Sequence, residues 1–302
     1  MINYSEIFFS VQGEGHYTGV PTAWLRFFLC NLQCNGFGQK DPTNPLEYVL
    51  PYEDLDVSKY KTMEDLPVFE YGCDSSYSWA KKFKGLTHTG NTKDVAQLIT
   101  DSMRSPSNPY GSFLHPGSNF RQHMCFTGGE PLMKHGQYGS IDILKVFEEN
   151  KNIPGGVTYE TNGTQPLTKE FIKYWDMNVG HEIRLNRPKL FFSISPKLWS
   201  VAGENATKAI KPEIVKSYHN VSKTGQLKFV LTPNEEAWDE LDEAVRAFRD
   251  AGVNYPVWIM PVGATVEGQK IVDGEVARMA FKRGYCVAAR VHTYLWGNLI
   301  GV

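Results

Sequence analysis

The chain has 302 residues, 41% of them hydrophobic and 13% aromatic, enough to bury the core of one large domain or two ordinary ones. A formal net charge of -2 without any run of Lys or Arg excludes the footprint of a nucleic-acid or acidic-membrane binder and favours a small polar ligand. No stretch approaches the roughly 18 apolar residues of a spanning helix, the N-terminus shows no basic region followed by an apolar core, and the five cysteines are irregularly spaced, so a cytoplasmic protein without a disulfide framework is expected.

Residues 3–12 alternate as a short strand and are interrupted by Gln12-Gly13-Glu14-Gly15, where glycines serve either an ordinary turn or close backbone approach to a ligand. Residues 22–29, T-A-W-L-R-F-F-L, read as a buried strand. Its single charge, Arg26, needs an ion-pair partner or a polar cavity in which to clamp a carboxylate. Cys30 and Cys34 follow, and Cys73 lies beyond a stretch that departs from its surroundings. Residues 35–72 carry Pro42, Pro45, Pro51 and Pro67, many charges and no sustained apolar period, which reads as an insertion, either a solvated loop or a lid. Three cysteine thiolates on one iron-sulfur cubane leave one iron without a protein ligand, the open position that chemistry on a small molecule requires.

Thr92 is expected to cap a helix with Val95, Leu98, Ile99 and Met103 on its apolar face, and residues 104–121 are expected as loop. From residue 122 strands and helices alternate. H-M-C-F-T is followed by a helix capped at Ser140 and faced by Ile141, Leu144 and Phe147. V-T-Y-E-T precedes a helix after Thr168, and K-L-F-F-S-I-S precedes one near 211–222. Q-L-K-F-V-L leads to a helix from Asn234 that stops at Gly252. V-W-I-M, a helix near 273–283 and a last strand, C-V-A-A-R-V, complete the series. This order predicts an α/β fold, a parallel sheet with crossover helices that is closed or partly closed as a barrel, with ligands at the carboxyl ends of its strands.

Those ends share a composition. Thr127-Gly128-Gly129-Glu130-Pro131, Glu160-Thr161-Asn162-Gly163, Ser193-Ile194-Ser195-Pro196-Lys197 and Met260-Pro261-Val262-Gly263 are small or polar and together outline one ring-shaped site. Cys125 and Cys286 lie within apolar strands and are expected as buried thiols. The eight histidines lack zinc-ligand spacing, and His292 is expected as a hydrogen-bonded neighbour of the site. Neither nucleotide-binding glycine fingerprint is present.

The Q-G-E-G run, Cys30-x3-Cys34, the displaced Cys73-Asp74-Ser75, T-G-G-E-P and S-I-S-P-K together resemble the radical S-adenosylmethionine enzymes of the 7-carboxy-7-deazaguanine synthase family, over residues 3–34, 73–79 and most of 122–302. The resemblance implies a single domain, residues 1–302, folded as a partial TIM-like barrel, with residues 35–72 inserted in the cluster-binding loop. It implies a [4Fe-4S] cluster on Cys30, Cys34 and Cys73, and S-adenosylmethionine against Gly128, Gly129, Glu130, Glu160, Ser195, Lys197, Met260 and Gly263. Gln12, Glu14, Arg26 and Thr127 are the implied catalytic positions; with Gly13 and the terminal carboxylate of Val302 they would bind 6-carboxy-5,6,7,8-tetrahydropterin. Ser75 stands where the family has a magnesium-binding Thr. The implied reaction contracts the pterin ring to 7-carboxy-7-deazaguanine with loss of ammonia and regenerates S-adenosylmethionine. An external donor of flavodoxin or ferredoxin type and a homodimer are likewise implied. Competing readings are a glycyl-radical-enzyme activase, which has no need of Q-G-E-G or Arg26, a zinc-stabilised binding module, which needs a fourth nearby ligand, and an electron-transfer ferredoxin, which would want four cysteines.

Overall fold

The computed structural model describes residues 1–176, 187–297 and 299–301. Nine strands form one sheet: β1 (Ile2–Val11), β2 (Pro21–Phe27), β3 (His88–Gly90), β4 (His123–Gly128), β5 (Gly156–Thr161), β6 (Lys189–Ile194), β7 (Gly225–Leu231), β8 (Val257–Pro261) and β9 (Cys286–Val287). Their order is β3-β1-β2-β4-β5-β6-β7-β8-β9. From β2 onward every neighbouring pair is parallel, as the strand-helix alternation predicts. At the other end β1 runs antiparallel to both β2 and β3, so the sheet is mixed rather than wholly parallel, and it is open, with β3 and β9 as edges. The link between β1 and β2 is too short for a crossover helix, which leaves a hairpin as the only connection.

Alternation along the strands divides the sheet into two faces. One carries Leu25, Phe126, Tyr159, Phe192, Phe229 and Ile259, all in the main apolar core. Helices α1 (Thr92–Ser102), α2 (Lys134–Glu149), α3 (Lys169–Trp175), α4 (Pro212–Val221), α5 (Glu235–Asp250) and α6 (Asp273–Lys282) contribute Ile99, Leu144, Phe171, Tyr218, Trp238 and Val276 to that same core. Their ends follow local chemistry. Thr168 accepts from Phe171 N–H and Asn234 from Glu236 N–H, while Gly252 takes the left-handed φ of +88° that ends α5. None of the described helices is long and apolar enough to cross a membrane.

Five expectations require correction. Helix α2 starts at Lys134, so Ser140 is not its cap but lies within it, donating to Gln137 O and accepting from Tyr159 Oη. Gly136 and Gly139 disguised the start. They are there for packing: a Cβ at Gly136 would strike Pro131 O, and one at Gly139 would press on the Phe27 ring. Helix α1 is capped by Asn91 rather than Thr92, and Leu98 is exposed, the buried stripe being Val95, Ala96 and Ile99. The last strand ends at Val287, and α7 (Val291–Trp296) follows after Arg290 turns inward. Cys286 is therefore exposed on a two-residue edge strand, not buried like Cys125.

Candidate active site

The other face of the sheet lines a cavity of about 300 Å³. Glu6 and Ser10 of β1, Arg26 of β2, Thr127 of β4, Glu160 of β5 and Lys228 of β7 all face it. Buried charges on a sheet persist only when ion-paired or hydrogen-bonded: Glu6, Arg26 and Lys228 have ionic partners, and Glu160 has neutral donors. Arg26 Nε donates to Glu6 Oε2 at 2.5 Å, and Tyr77 Oη donates to the same oxygen at 3.1 Å. Gln12 Nε2 and Thr127 Oγ1 each donate to Glu160, both at 3.2 Å. Lys228 Nζ donates to Glu14 Oε2, while Arg290 Nε donates to Glu14 Oε1 at 2.9 Å. Burial pushes the Glu14 carboxyl up, but Lys228 and Arg290 together outweigh it and hold the group well below the usual carboxylate range.

The Q-G-E-G loop crosses the floor of this cavity. His16 N–H donates to Gln226 Oε1 of β7 at 3.0 Å, and Val291 N–H donates to Gly13 O at 2.9 Å. Side chains are excluded at Gly13 and Gly15, where a Cβ would run into the His292 ring and the Gln226 amide. The turn is there, with Gly15 at a left-handed φ of +71° and Thr18 N–H donating to Gly15 O, and what comes close to Gly13 and Gly15 is the chain's own β7 and α7 region. His292 lines the cavity, as its position after β9 suggested.

The three cysteines gather at the opposite side. Cys30 and Cys73 pack with buried Cys34 around Leu32 and Ala202. Glu204 Oε1 accepts from the N–H groups of both Gln33 and Cys34, at 2.7 and 2.8 Å, and Cys34 sits at φ +54°. Gly72 N–H donates to Phe37 O at 2.8 Å, closing the neck of residues 35–72 so that Cys73 arrives beside Cys34. Burial pushes the Cys30 thiol up to about 12, helped by Glu130, and raises Cys34 and Cys73 as well. Thiolates here therefore need a bound cation to offset desolvation. Among the described residues no group of three or more His, Cys, Asp or Glu side chains forms the ligand shell of a single ion. A cubane differs, because its three cysteines bind three separate irons and stand farther apart than ligands of one ion. A three-thiol set, half-buried at Cys30 and Cys73 and buried at Cys34, beside an open cavity fits that group in its donor chemistry.

Gly128 and Gly129 edge the cavity between the cysteines and the polar face. A Cβ at either would strike Phe27 O or Leu29 O, so backbone forms the wall there. Glu130 is fully buried and does not line the cavity. It accepts from Leu132 N–H, Thr161 Oγ1 and Asn162 N–H at 2.7–2.8 Å, bracing the end of β4 against the end of β5. Lys197 Nζ donates to Ser195 Oγ at 2.8 Å and lies over the Phe37 ring; Met260 and Gly263 complete the rim. Ser75 Oγ accepts from Arg26 Nη1 at 3.4 Å and donates to Asp74 Oδ1 at 3.2 Å, and Asp74 Oδ2 is taken by Arg290. Two guanidinium groups thus face the oxygens that would hold magnesium, and a divalent cation does not fit the pocket so arranged.

Residues 35–72 are not a solvated excursion. Tyr52, Met63, Leu66 and Phe69 form a second apolar cluster with Tyr77 and Phe83, and Ile300 packs onto it. Val68, Glu70 and Gly72 line the cavity with Leu299, Ile300 and Gly301, so this segment and residues 299–301 make one wall. Val302 lies outside the described residues. Sequence reasoning missed Glu6, Asp74's ion pair, Lys228, Arg290 and the Glu204 anchor. One signal was available: Lys228 is a lone charge in the apolar run Q-L-K-F-V-L, as Arg26 is in its own strand.

No family model matches the chain. It is 25% identical over 299 residues to the 7-carboxy-7-deazaguanine synthase of Rhodopirellula baltica, an alignment covering 98% of this chain and 87% of that protein. The protein of the same name from Halobacterium salinarum is 24% identical over 311 residues, covering 97% of this chain and 90% of its own length. Among solved structures, the crystal structure of QueE from Escherichia coli aligns with 96% of this chain and 94% of its own at a TM-score of 0.48 and 15% identity. Sequence similarity running nearly end to end with proteins of one name makes this chain a relative of the 7-carboxy-7-deazaguanine synthases.

Proposed function

We propose that the protein converts 6-carboxy-5,6,7,8-tetrahydropterin to 7-carboxy-7-deazaguanine with loss of ammonia, using a [4Fe-4S] cluster on Cys30, Cys34 and Cys73 together with S-adenosylmethionine. The observation that carries this reading is the meeting, in one cavity, of three cysteines, Cys34 buried and Cys30 and Cys73 half-buried, a backbone edge at Gly128-Gly129 and a polar sheet face. When bound, the cluster and cofactor supply the electron and the hydrogen-abstracting carbon on which a radical ring contraction depends.

The chain's own residues position and shield. Backbone at Gly128 and Gly129, with Ser195, Lys197, Met260 and Gly263 around it, would receive the cofactor, and Glu130 and Glu160 would keep the two strand ends in register. Gln12, Thr127 and Glu160 form one hydrogen-bonded row. Such a row offers both donors and acceptors to the amide-like edge of a pterin. Arg26, its Nε held by Glu6, presents a pre-oriented guanidinium to the substrate carboxylate, which Gly13 and Glu14 would flank on the floor. The wall of residues 35–72 and 299–301 excludes water. Because Arg26 and Arg290 face Ser75 and Asp74, the proposed reaction does without magnesium. An external donor of flavodoxin or ferredoxin type would deliver the electron, and the protein would work as a single-domain chain in a homodimer; a monomeric mass in light scattering would reject the dimer.

The test is an anaerobic assay of the reconstituted protein with S-adenosylmethionine, reductant and the carboxytetrahydropterin, followed by mass spectrometry. Formation of 7-carboxy-7-deazaguanine without net cofactor loss is expected. Cleavage to 5'-deoxyadenosine without product would reject the substrate, and zinc without iron and sulfide would reject the chemistry.

A further inference from the structure

We propose that Arg290 is a positioning residue that keeps the cysteine side of the cavity in register with its Q-G-E-G side. Arg290 lies between β9 and α7 and is only 7% exposed. Its guanidinium spends a different nitrogen on each of three segments that are remote in sequence. Nε donates to Glu14 Oε1 at 2.9 Å, Nη1 to Gly263 O at 2.9 Å and Nη2 to Asp74 Oδ2 at 2.6 Å. Glu14 belongs to the floor loop, Gly263 to the rim after β8, and Asp74 directly follows Cys73. Only a planar fork with several donors closes all three at once, which an ammonium cannot do in the same geometry.

The tie to Asp74 matters because, apart from the packing of Tyr77, Trp79 and Ala80 in the second apolar cluster, the segment after Cys73 is held by short-range bonds such as Ser76 N–H to Cys73 O and Ser78 N–H to Ser75 O. Its contacts with the sheet are few: Leu29 N–H to Ser78 O, Arg26 Nη1 to Ser75 Oγ and Tyr77 Oη to Glu6. Of these, none reaches the floor loop. Arg290 does, since Glu14 is also gripped by Lys228. A shift of Cys73 relative to the floor would change the distance between whatever the cysteines hold and whatever lies on the floor, and displacements of about 1 Å at a reacting centre cost on the order of 100-fold in rate. The catalytic consequence rests on the function proposed above; the structural one does not.

Two readouts on the reconstituted protein separate these claims. Amide hydrogen exchange across residues 73–80 should quicken by about tenfold in Arg290→Gln while β6 stays protected. Asp74→Ala removes the acceptor at the more exposed end of the same tie and leaves Arg290 on Glu14, so it should reproduce the quickening even if Arg290→Gln folds poorly. Unchanged exchange in both variants overturns the proposal, whatever the enzyme turns over. With iron content unchanged, 5'-deoxyadenosine released per product formed, close to zero in a wild type that regenerates its cofactor, should become measurable in both variants. Arg290→Lys, which keeps the charge but not the fork, should lower that ratio only in part. A wild-type ratio in both variants overturns the positioning role, and a wild-type enzyme that forms no product rejects the substrate while the exchange result still decides the tie.

Discussion

Phe192 and Ser193 are neighbours on β6 with opposite surroundings. Phe192 is sealed against Tyr218, Tyr159 and Phe171, with ring centroids 4.9 to 6.3 Å away, whereas Ser193 Oγ accepts from Gln226 Nε2 at 2.8 Å on the cavity side. The same contrast repeats from β2 to β8. The helix-covered face gains its stability from apolar area removed from water, a term indifferent to exact partners. The cavity face spends that stability on charges that are tolerable only while paired. One face makes the molecule stable; the other makes it specific.

The largest break in that comparison falls on the cavity side. Cys73→Ala should lower cluster affinity by more than about 100-fold with little loss of fold, because Cys73 is half-buried at the margin of the small Leu32 and Ala202 cluster. Iron and sulfide analysis beside circular dichroism checks it; full cluster loading would remove Cys73 from the ligand set. On the helix-covered face, Phe192→Ala should cost about 3–5 kcal/mol in denaturant unfolding, while Ser193→Ala next to it should cost about 1 kcal/mol. Equal losses would mean that the two faces are not energetically distinct.

Glu14→Gln sharpens the comparison, since it removes charge without removing volume. It leaves Lys228 buried without its partner and should destabilise the protein by about 3 kcal/mol. Unchanged stability would show that water or a mobile side chain replaces the carboxylate. A further effect is a pH dependence of stability at His123, at the start of β4. His123 is buried and its ring nitrogen Nε2 meets Thr158 Oγ1 at 2.8 Å; burial pushes its pKa down from 6.5 to about 4. The neutral ring is native, so the unfolded chain binds the extra proton between those values, and stability is complete above pH 6.5 and lost as pH falls towards 4. The loss due to this group should reach about 2 kcal/mol by pH 5. His123→Gln should flatten that limb of the stability profile, and an unchanged slope would assign it to other groups.

Much of the architecture was legible because it repeats locally. The strands at 123–128, 156–161, 189–194 and 225–231 and the helices after Thr168 and Asn234 stand where period and capping residues put them. Where a local signal served a distant contact, reading failed. Gly136 and Gly139 look like breakers but make room for Pro131 O and the Phe27 ring, and Arg290 sits in an apolar run that looked like strand but turns into the cavity. The cysteines could be picked out by residue type, but nothing in residues 35–72 shows that Gly72 returns to Phe37 and delivers Cys73 to Cys34.

The sequence by itself determined the alternation of strands and helices and the chemical kind of the cysteine loop, because hydrophobic period, caps and thiol chemistry are properties of adjacent residues. Only the tertiary structure decided which charge meets which. Arg290 and Glu14 are 276 positions apart, and Lys228 and Glu14 are 214 apart. Coulomb attraction and hydrogen bonding depend on separation in space, which a linear pattern does not encode until the sheet has curled its polar face inward.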